Sequence, residues 1–309
     1  MMAFLPSPAM NSKWKAHAAL LGANLIYGAN YSLAKEVMPQ YIGPSGMIVM
    51  RVLGAILLFG LFWSFKPEIP KKEDLLRFLL CAITGVAVNQ IMFFEGLNLT
   101  TPIQASIILT ANPILVLIAA AIIAKERITW AKSIGILLGL IGAAILILRR
   151  DNTAVGNNVM LGNFFVFINA VSYSVYLVLV RKLMRTYRVI TVMYWIFLPG
   201  LLLVLPFGWQ EFSIVEWTTI PANALLILGF IIVGTTFLAY LLNAYALVTV
   251  SASVVSAYVY LQPFIAAAIA IAIGKDQLDV RMIVSALLVF AGVYLVSKLP
   301  ASARSESGK

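Results

Sequence analysis

The stretch GLNLTTPIQASIILTANPILVLIAAAIIAKERITWAKSIGILLGLIGAAILIL, residues 96–148, recurs 150 positions later in the same chain. The shift places Leu97, Ser106, Pro113, Ala120, Ile123, Lys125, Leu137, Leu138 and Gly142 on Leu247, Ser256, Pro263, Ala270, Ile273, Lys275, Leu287, Leu288 and Gly292 without a gap. Single matches in so Leu/Ile/Ala-rich a region carry little weight. More telling is the pattern both copies share: a proline in mid-run, then twelve residues later a lysine followed by an acid, Lys125-Glu126 in one and Lys275-Asp276 in the other.

Working outward, 62% of the residues are hydrophobic and 11% charged, against roughly 45–50% and about 25% in soluble domains. Too few polar residues remain to cover a water-facing exterior, so the chain is read as an all-α integral membrane protein. Lone Cys81 and lone His17 form neither an intramolecular disulfide nor a Cys/His metal site, and no metal or cofactor is expected. The net charge of +10 comes from Lys and Arg scattered through short loops. That distribution fits positive-inside topology and lacks the basic face that nucleic acid requires.

Apolar runs fall at 16–38, 45–65, 75–97, 103–124, 132–149, 159–181, 189–208, 221–246, 251–273 and 280–298. Each is close to the ~20 residues that span ~30 Å of hydrocarbon, giving ten transmembrane helices. Pro39, Pro44, Pro67, Pro70, Pro102, Asp151-Asn152 and Pro221 sit between runs, where helices break or begin. The first run exceeds the ~7–15 residues of a signal-peptide core and is read as a retained helix. With the N-terminus inside, sixteen of the 22 Lys and Arg fall in inner segments, five in outer ones, and Arg51 within a helix. Both termini are therefore expected in the cytoplasm.

Five helices separate the two copies, and an odd number reverses direction, so the second half is inserted upside down. A shift of 146 extends the relation to the first helix, matching Tyr27, Met38, Tyr41 and Met47 to Tyr173, Met184, Tyr187 and Met193. The expected organisation is a cytoplasmic segment 1–15, a five-helix repeat 16–150, its inverted copy 151–298 and a cytoplasmic tail 299–309. Two inverted five-helix repeats are an architecture of secondary transporters, with substrate bound near the midplane between them.

A family resemblance rests on Met50-Arg51-Val52 in the second helix, Gly96-Leu97, Ala105-Ser106, Pro113, and Lys125-Glu126-Arg127-Ile128 followed by Gly135 and Gly142. In these residues the chain resembles the drug/metabolite transporter superfamily, specifically its ten-helix EamA-type members, over nearly its whole length. The second copy departs where Glu126-Arg127 becomes Asp276-Gln277 and Gly135 becomes Ser285. The resemblance implies a secondary transporter of the cell inner membrane that works outward, and the aromatic, weakly charged residues inside the apolar runs suit amino acids or related small amphipathic metabolites as its substrate. Multidrug efflux is the alternative within transport, and a passive metabolite channel the alternative outside it.

No HExxH, GxSxG, paired intrahelical carboxylates or GxxxxGK[ST] loop is present, which argues against an enzyme and against an ATP-driven pump. The informative residues are the polar ones inside apolar runs, since they face a bundle interior or a cavity. Asn24, Tyr27, Asn30 and Tyr31 stripe the first helix, Asn169, Tyr173 and Tyr176 the sixth, and Thr236, Tyr240 and Asn243 the eighth. Ser106 and Thr110 of the fourth map onto Ser256 and Tyr260 of the ninth, with Gln262 following. Each has a structural reading, interhelical hydrogen bonding; together they mark the lining of a substrate cavity. The aliphatic, Gly/Ala-rich fifth and tenth helices look peripheral or dimer-forming, so the state is monomer or homodimer.

Pro113 and Pro263 remove a backbone donor and free a carbonyl, near Thr110, Asn112 and Gln262, as kinks or gates. Arg51 and Glu95 lie toward the outer leaflet, where they could form an ion pair; the other reading is proton coupling or recognition of a charged substrate. Glu126 and Asp276 are read as capping and surface groups. The implied partners are a small-molecule substrate, the lipid bilayer and protons as coupling ion, with no nucleic acid. If the Glu95 carboxylate carries the coupled proton, Glu95→Gln abolishes the dependence of vesicle uptake on a pH gradient; unchanged dependence in a folded variant excludes that role.

Overall fold

The computed structural model describes residues 11–100, 105, 108–147, 158–262, 265 and 280–298. Every regular element among them is helical: α1 (Asn11–Val37), α2 (Pro44–Ser64), α3 (Lys72–Leu99), α4 (Asn112–Ile123), α5 (Trp130–Ile147), α6 (Val159–Thr186), α7 (Val189–Ser213), α8 (Ala222–Thr249), α9 (Ala252–Ala257, continued by a 3-10 turn Tyr258–Tyr260) and α10 (Val280–Lys298). Of these described helices, α2, α3, α6, α7 and α8 are long and apolar enough to cross a membrane. Large apolar side chains such as Leu57, Leu202, Leu226 and Leu287 are exposed on the outside of the bundle, where a bilayer in place of water satisfies them.

Local chemistry sets the helix ends. The Asn158 and Ser251 side chains accept from the backbone N–H of Leu161 and Val254, capping α6 and α9. Helix α2 opens on Pro44, whose missing N–H is not needed there. Its first turn is held from other helices: Glu211 of α7 accepts from the Gly46 N–H at 2.9 Å, capping a free amide, and Glu95 of α3 accepts from the Ser45 side-chain hydroxyl.

The fourth apolar run is interrupted. A turn at Thr110–Ala111 precedes α4, and Pro113 is its second residue, where a proline costs no hydrogen bond. The expected mid-helix kink is therefore a break between two helical pieces. At the other end of α4, Lys125 adopts a left-handed conformation (φ 51°) and the Glu126 N–H returns to the Ala120 carbonyl at 3.1 Å. This turn aims Glu126 inward, where Arg181 of α6 binds one carboxylate oxygen at 2.6 Å and Lys132 of α5 the other at 3.4 Å. Glu126 is a half-buried clasp between α5 and α6 and not the surface group expected; Asp276 lies outside the described residues.

Packing follows a pattern of exchange. Helix α1 lies on α8, while α3 lies on α6; α2 packs on α7, α4 on α9 and α5 on α10. Moving every helix five places along turns the α1–α8 pair into the α6–α3 pair and leaves the other three pairs on themselves. Helices α2 and α7 run antiparallel, Gly46 lying beside Glu211 and Phe212, and Gly60 beside Tyr194.

Helices α5 and α10 are also antiparallel, with Gly135 against Gly292 and Gly142 against Ser285. A Cβ added at Gly292 would stand 2.5 Å from the Gly135 carbonyl oxygen, and the Ser285 hydroxyl donates to the Gly142 carbonyl. Such small-residue contacts let two backbones approach closely in lipid. The glycine face that suggested a dimer is consumed inside the chain. Accordingly, Gly292→Val should destabilise the detergent-solubilised protein by about 1–3 kcal/mol through overpacking. By contrast Gly229→Ala, whose added Cβ meets open space, should be neutral or stabilising by up to about 1 kcal/mol; thermal unfolding of the two variants checks this.

Candidate functional site

Helices α3 and α8 share an irregularity that builds the centre of the molecule. Both widen into π-helical turns, at Ile83–Ala87 and Ile231–Leu238, positions that the 150-residue shift superposes. A π turn breaks the regular backbone ladder and is frequent at functional sites; inside hydrocarbon each loosened carbonyl needs a replacement partner. In α3 the Thr84 carbonyl accepts from Ser172 at 2.8 Å, the Gly85 carbonyl from the Tyr240 hydroxyl at 3.3 Å, and the Asn89 carbonyl from the Asn169 amide at 2.7 Å. In α8 the Thr235 and Thr236 hydroxyls both donate to the Ile231 carbonyl, at 2.6 and 2.9 Å. The Thr236 oxygen also accepts from Arg51 Nε at 2.8 Å.

Around these turns lies a cavity of about 110 Å3. Tyr27 and Asn30 of α1, Arg51 of α2 and Asn89, Gln90, Phe93 and Phe94 of α3 form one part of its wall. Leu109 and Asn112 enter from either side of the break before α4, Asn169 and Tyr173 from α6, Tyr240 from α8, and Val259 and Gln262 from the chain following α9. The break at Thr110–Ala111 is what brings Asn112 to the wall. Arg51 is buried and its guanidinium lies 4.7 Å over the Phe94 ring, a cation–π contact.

Of the residues expected from sequence, Tyr27, Asn30, Asn169, Tyr173, Tyr240, Gln262 and Arg51 line this cavity. Others stand one layer behind it. Asn24 accepts from Gln262 at 2.9 Å and donates to the Leu20 carbonyl; Asn243 reaches the Tyr27 hydroxyl at 3.5 Å; Thr236 holds Arg51. The Tyr176 ring packs on Gly85 and lies 6.2 Å from that of Tyr173, while Thr110 and Pro113 are buried at the helix break.

Three expectations are corrected. Tyr260 turns away from the cavity: its hydroxyl donates to the Ile136 carbonyl at 3.1 Å and its ring covers Gly139 of α5. The Ser256 hydroxyl bonds the Ser253 carbonyl within its own helix. Arg51 and Glu95 form no ion pair, because neighbouring positions on a helix point about 100° apart: Phe94 faces Arg51, so Glu95 is turned to Ser45. Ser106, Pro263 and the Tyr31 side chain lie outside the described residues. Sequence reasoning overlooked Asn89, Gln90, Phe93 and Phe94, although Asn89-Gln90 inside the third apolar run carries the same signal of intramembrane polarity that marked the other helices.

Residues 14–148 and again 160–298 match the model of the EamA-like transporter family. The chain belongs to the EamA-like transporter family. It shares 25% identity over 282 residues with the uncharacterized transporter YyaM of Bacillus subtilis, covering 90% of this chain and 92% of YyaM. An uncharacterized transporter of Archaeoglobus fulgidus is 24% identical over 290 residues, covering 93% and 98% of the two chains. A WAT1-related protein of Arabidopsis thaliana is 23% identical over 299 residues, covering 87% and 79%. One crystal structure shares the fold, with a TM-score of 0.72 at 15% identity over 92% of this chain and 98% of the other. As an EamA-like protein this chain is a multi-pass membrane transporter and not an enzyme.

The side-chain hydrogen bonds from α6 and α8 to carbonyls in and just after the π turn of α3 generate a stability prediction for this transporter. Asn169→Ala leaves the Asn89 carbonyl without its donor and should lower stability by about 1 kcal/mol, read as a lower unfolding temperature in detergent, whereas Asn169→Asp, which keeps the size but loses the donor, should be no better.

Proposed function

We propose that this EamA-like protein is a secondary transporter that moves amino acids or related small amphipathic metabolites outward by alternating access. In this reading the repeats 16–150 and 151–298 form ten spans of opposite insertion, with both termini in the cytoplasm and the chain in the cell inner membrane. The observation that carries it is the composition of the cavity wall: Tyr27, Asn30, Arg51, Gln90 and Asn112 come from one half, Asn169, Tyr173, Tyr240 and Gln262 from the other. A site shared between halves changes its accessibility when the halves rock against one another.

Three further facts support inversion. The family model matches the chain twice, corresponding helices α2 and α7 run antiparallel, and helix pairs exchange under a five-place shift. Sixteen of 22 Lys and Arg on one side support the orientation. The lining favours an amphipathic solute, since aromatic rings alternate with amides. Protons are the proposed coupling ion, with Glu95 as the carboxylate to test. A monomer suffices, because the α5/α10 glycine contact is internal.

Transport in vesicles tests the reading. Uptake of radiolabelled amino acids should saturate and show counterflow, and Tyr27→Ala, Tyr173→Ala and Tyr240→Ala should each lower it several-fold without loss of expressed protein. Flux that does not saturate would mark a channel, and undiminished transport in all three variants would remove the cavity from the pathway.

A further inference from the structure

Among the described residues the buried Arg51 has no carboxylate partner. No Asp or Glu of that set lies within ion-pairing distance of Arg51, and Glu95, the acid that sequence depth suggested as its partner, is engaged by Ser45. A cation held inside hydrocarbon is costly and ordinarily paired. Here it is held by a ring face and one hydroxyl. Phe94 covers one face of the guanidinium at 4.7 Å, and Thr236 takes the Nε hydrogen at 2.8 Å. Guanidinium carries five N–H donors in a rigid plane. With the plane clamped and Nε used, the Nη edge is left as a fork for a planar oxyanion, and among the described residues nothing accepts from it.

The same cavity contains polar atoms without partners. The Asn30 and Asn112 side-chain oxygens and both ends of the Gln90 amide are buried and unbonded, though all three residues line the cavity with Arg51. Leaving buried amides unsatisfied is costly, a penalty that persists where a ligand supplies the missing bonds. These two observations are independent, one a charge without a counter-ion and the other a set of neutral groups without partners. Both concern the same wall.

We propose that the transported solute carries a carboxylate that binds the Nη edge of Arg51 as a bidentate pair, with Asn30, Gln90 and Asn112 hydrogen-bonding the polar groups beside it. The inference rests on the transporter reading and narrows it: the solute is an organic acid or a zwitterion, not a cation or a neutral drug. Planar bidentate pairing is specific to arginine, so lysine at this position is a partial substitute.

Matched pairs differing only at the carboxylate provide the test: L-phenylalanine against L-phenylalaninamide, L-leucine against L-leucinamide, and phenylacetate against phenylacetamide. Thermal shift on the purified full-length protein should show stabilisation by at least one acid and by none of the amides. Arg51→Gln should weaken that acid about tenfold or more, and Arg51→Lys less. Should Arg51→Gln fail to fold, Gln90→Glu serves in its place, since it adds an internal carboxylate of the same shape to the cavity and should also displace the acid. Equal stabilisation by acid and amide, stabilisation by no acid of the panel, or undiminished acid binding in folded Arg51→Gln overturns the proposal. Counterflow of an amide or a cationic compound would overturn it while leaving the transporter reading intact; acid binding through Arg51 with no counterflow of that acid would overturn both, since the bound acid would not be a transported solute.

Discussion

Hydrocarbon offers no water to a carbonyl that leaves its helical ladder, and the centre of this protein is arranged around that constraint. Helix α3 loosens at Ile83–Ala87, and three of its carbonyls find donors on other helices: Ser172 and Asn169 from α6, Tyr240 from α8. All three donors belong to the second half of the chain. The irregular turn thus becomes a fastening between halves made of three side-chain hydrogen bonds. In α8 the corresponding turn satisfies its Ile231 carbonyl from Thr235 and Thr236 within the helix. Thr236 then has its oxygen to offer to Arg51 of the first half.

These fastenings contrast with the periphery. Along α5 and α10 glycines bring backbone against backbone at Gly135–Gly292 and Gly142–Ser285, where the Ser285 hydroxyl donates to the Gly142 carbonyl. Helices α2 and α7 are joined at one end by Glu211 on the Gly46 amide. The clasp of Glu126 with Arg181 and Lys132 ties α5 to α6. Backbone-to-backbone and charged contacts therefore lie at the edges, and single side-chain-to-carbonyl hydrogen bonds at the centre; the proposed rocking of the halves would act on the second kind.

Much of this was legible beforehand. Intramembrane polarity is expensive enough that Tyr27, Asn30, Asn169, Tyr173 and Tyr240 could be assigned to the interior from composition alone, and the structure places them on one cavity. The same reasoning extended to Asn89 and Gln90 would have located the third helix's share. Tyr260 was misread because the 150-residue shift equates positions, not directions: its ring covers Gly139 instead, where a missing side chain leaves room. Glu95 was misread because two charges at similar depth need not face each other; one residue of helical rotation separates Phe94, on Arg51, from Glu95, on Ser45.

Sequence alone determined the membrane class, the doubling of the chain and the set of intramembrane polar residues, because hydrophobic runs, a repeat and buried polarity are properties of residue order and composition. Tertiary structure alone decided which of those residues share a cavity and which serve as fastenings. That choice depends on rotation about each helix axis and on the two π turns, and both are set by contacts between helices far apart in the chain. The position of Arg51 is of the second kind: that no carboxylate among the described residues reaches it follows from where their helices turn their faces.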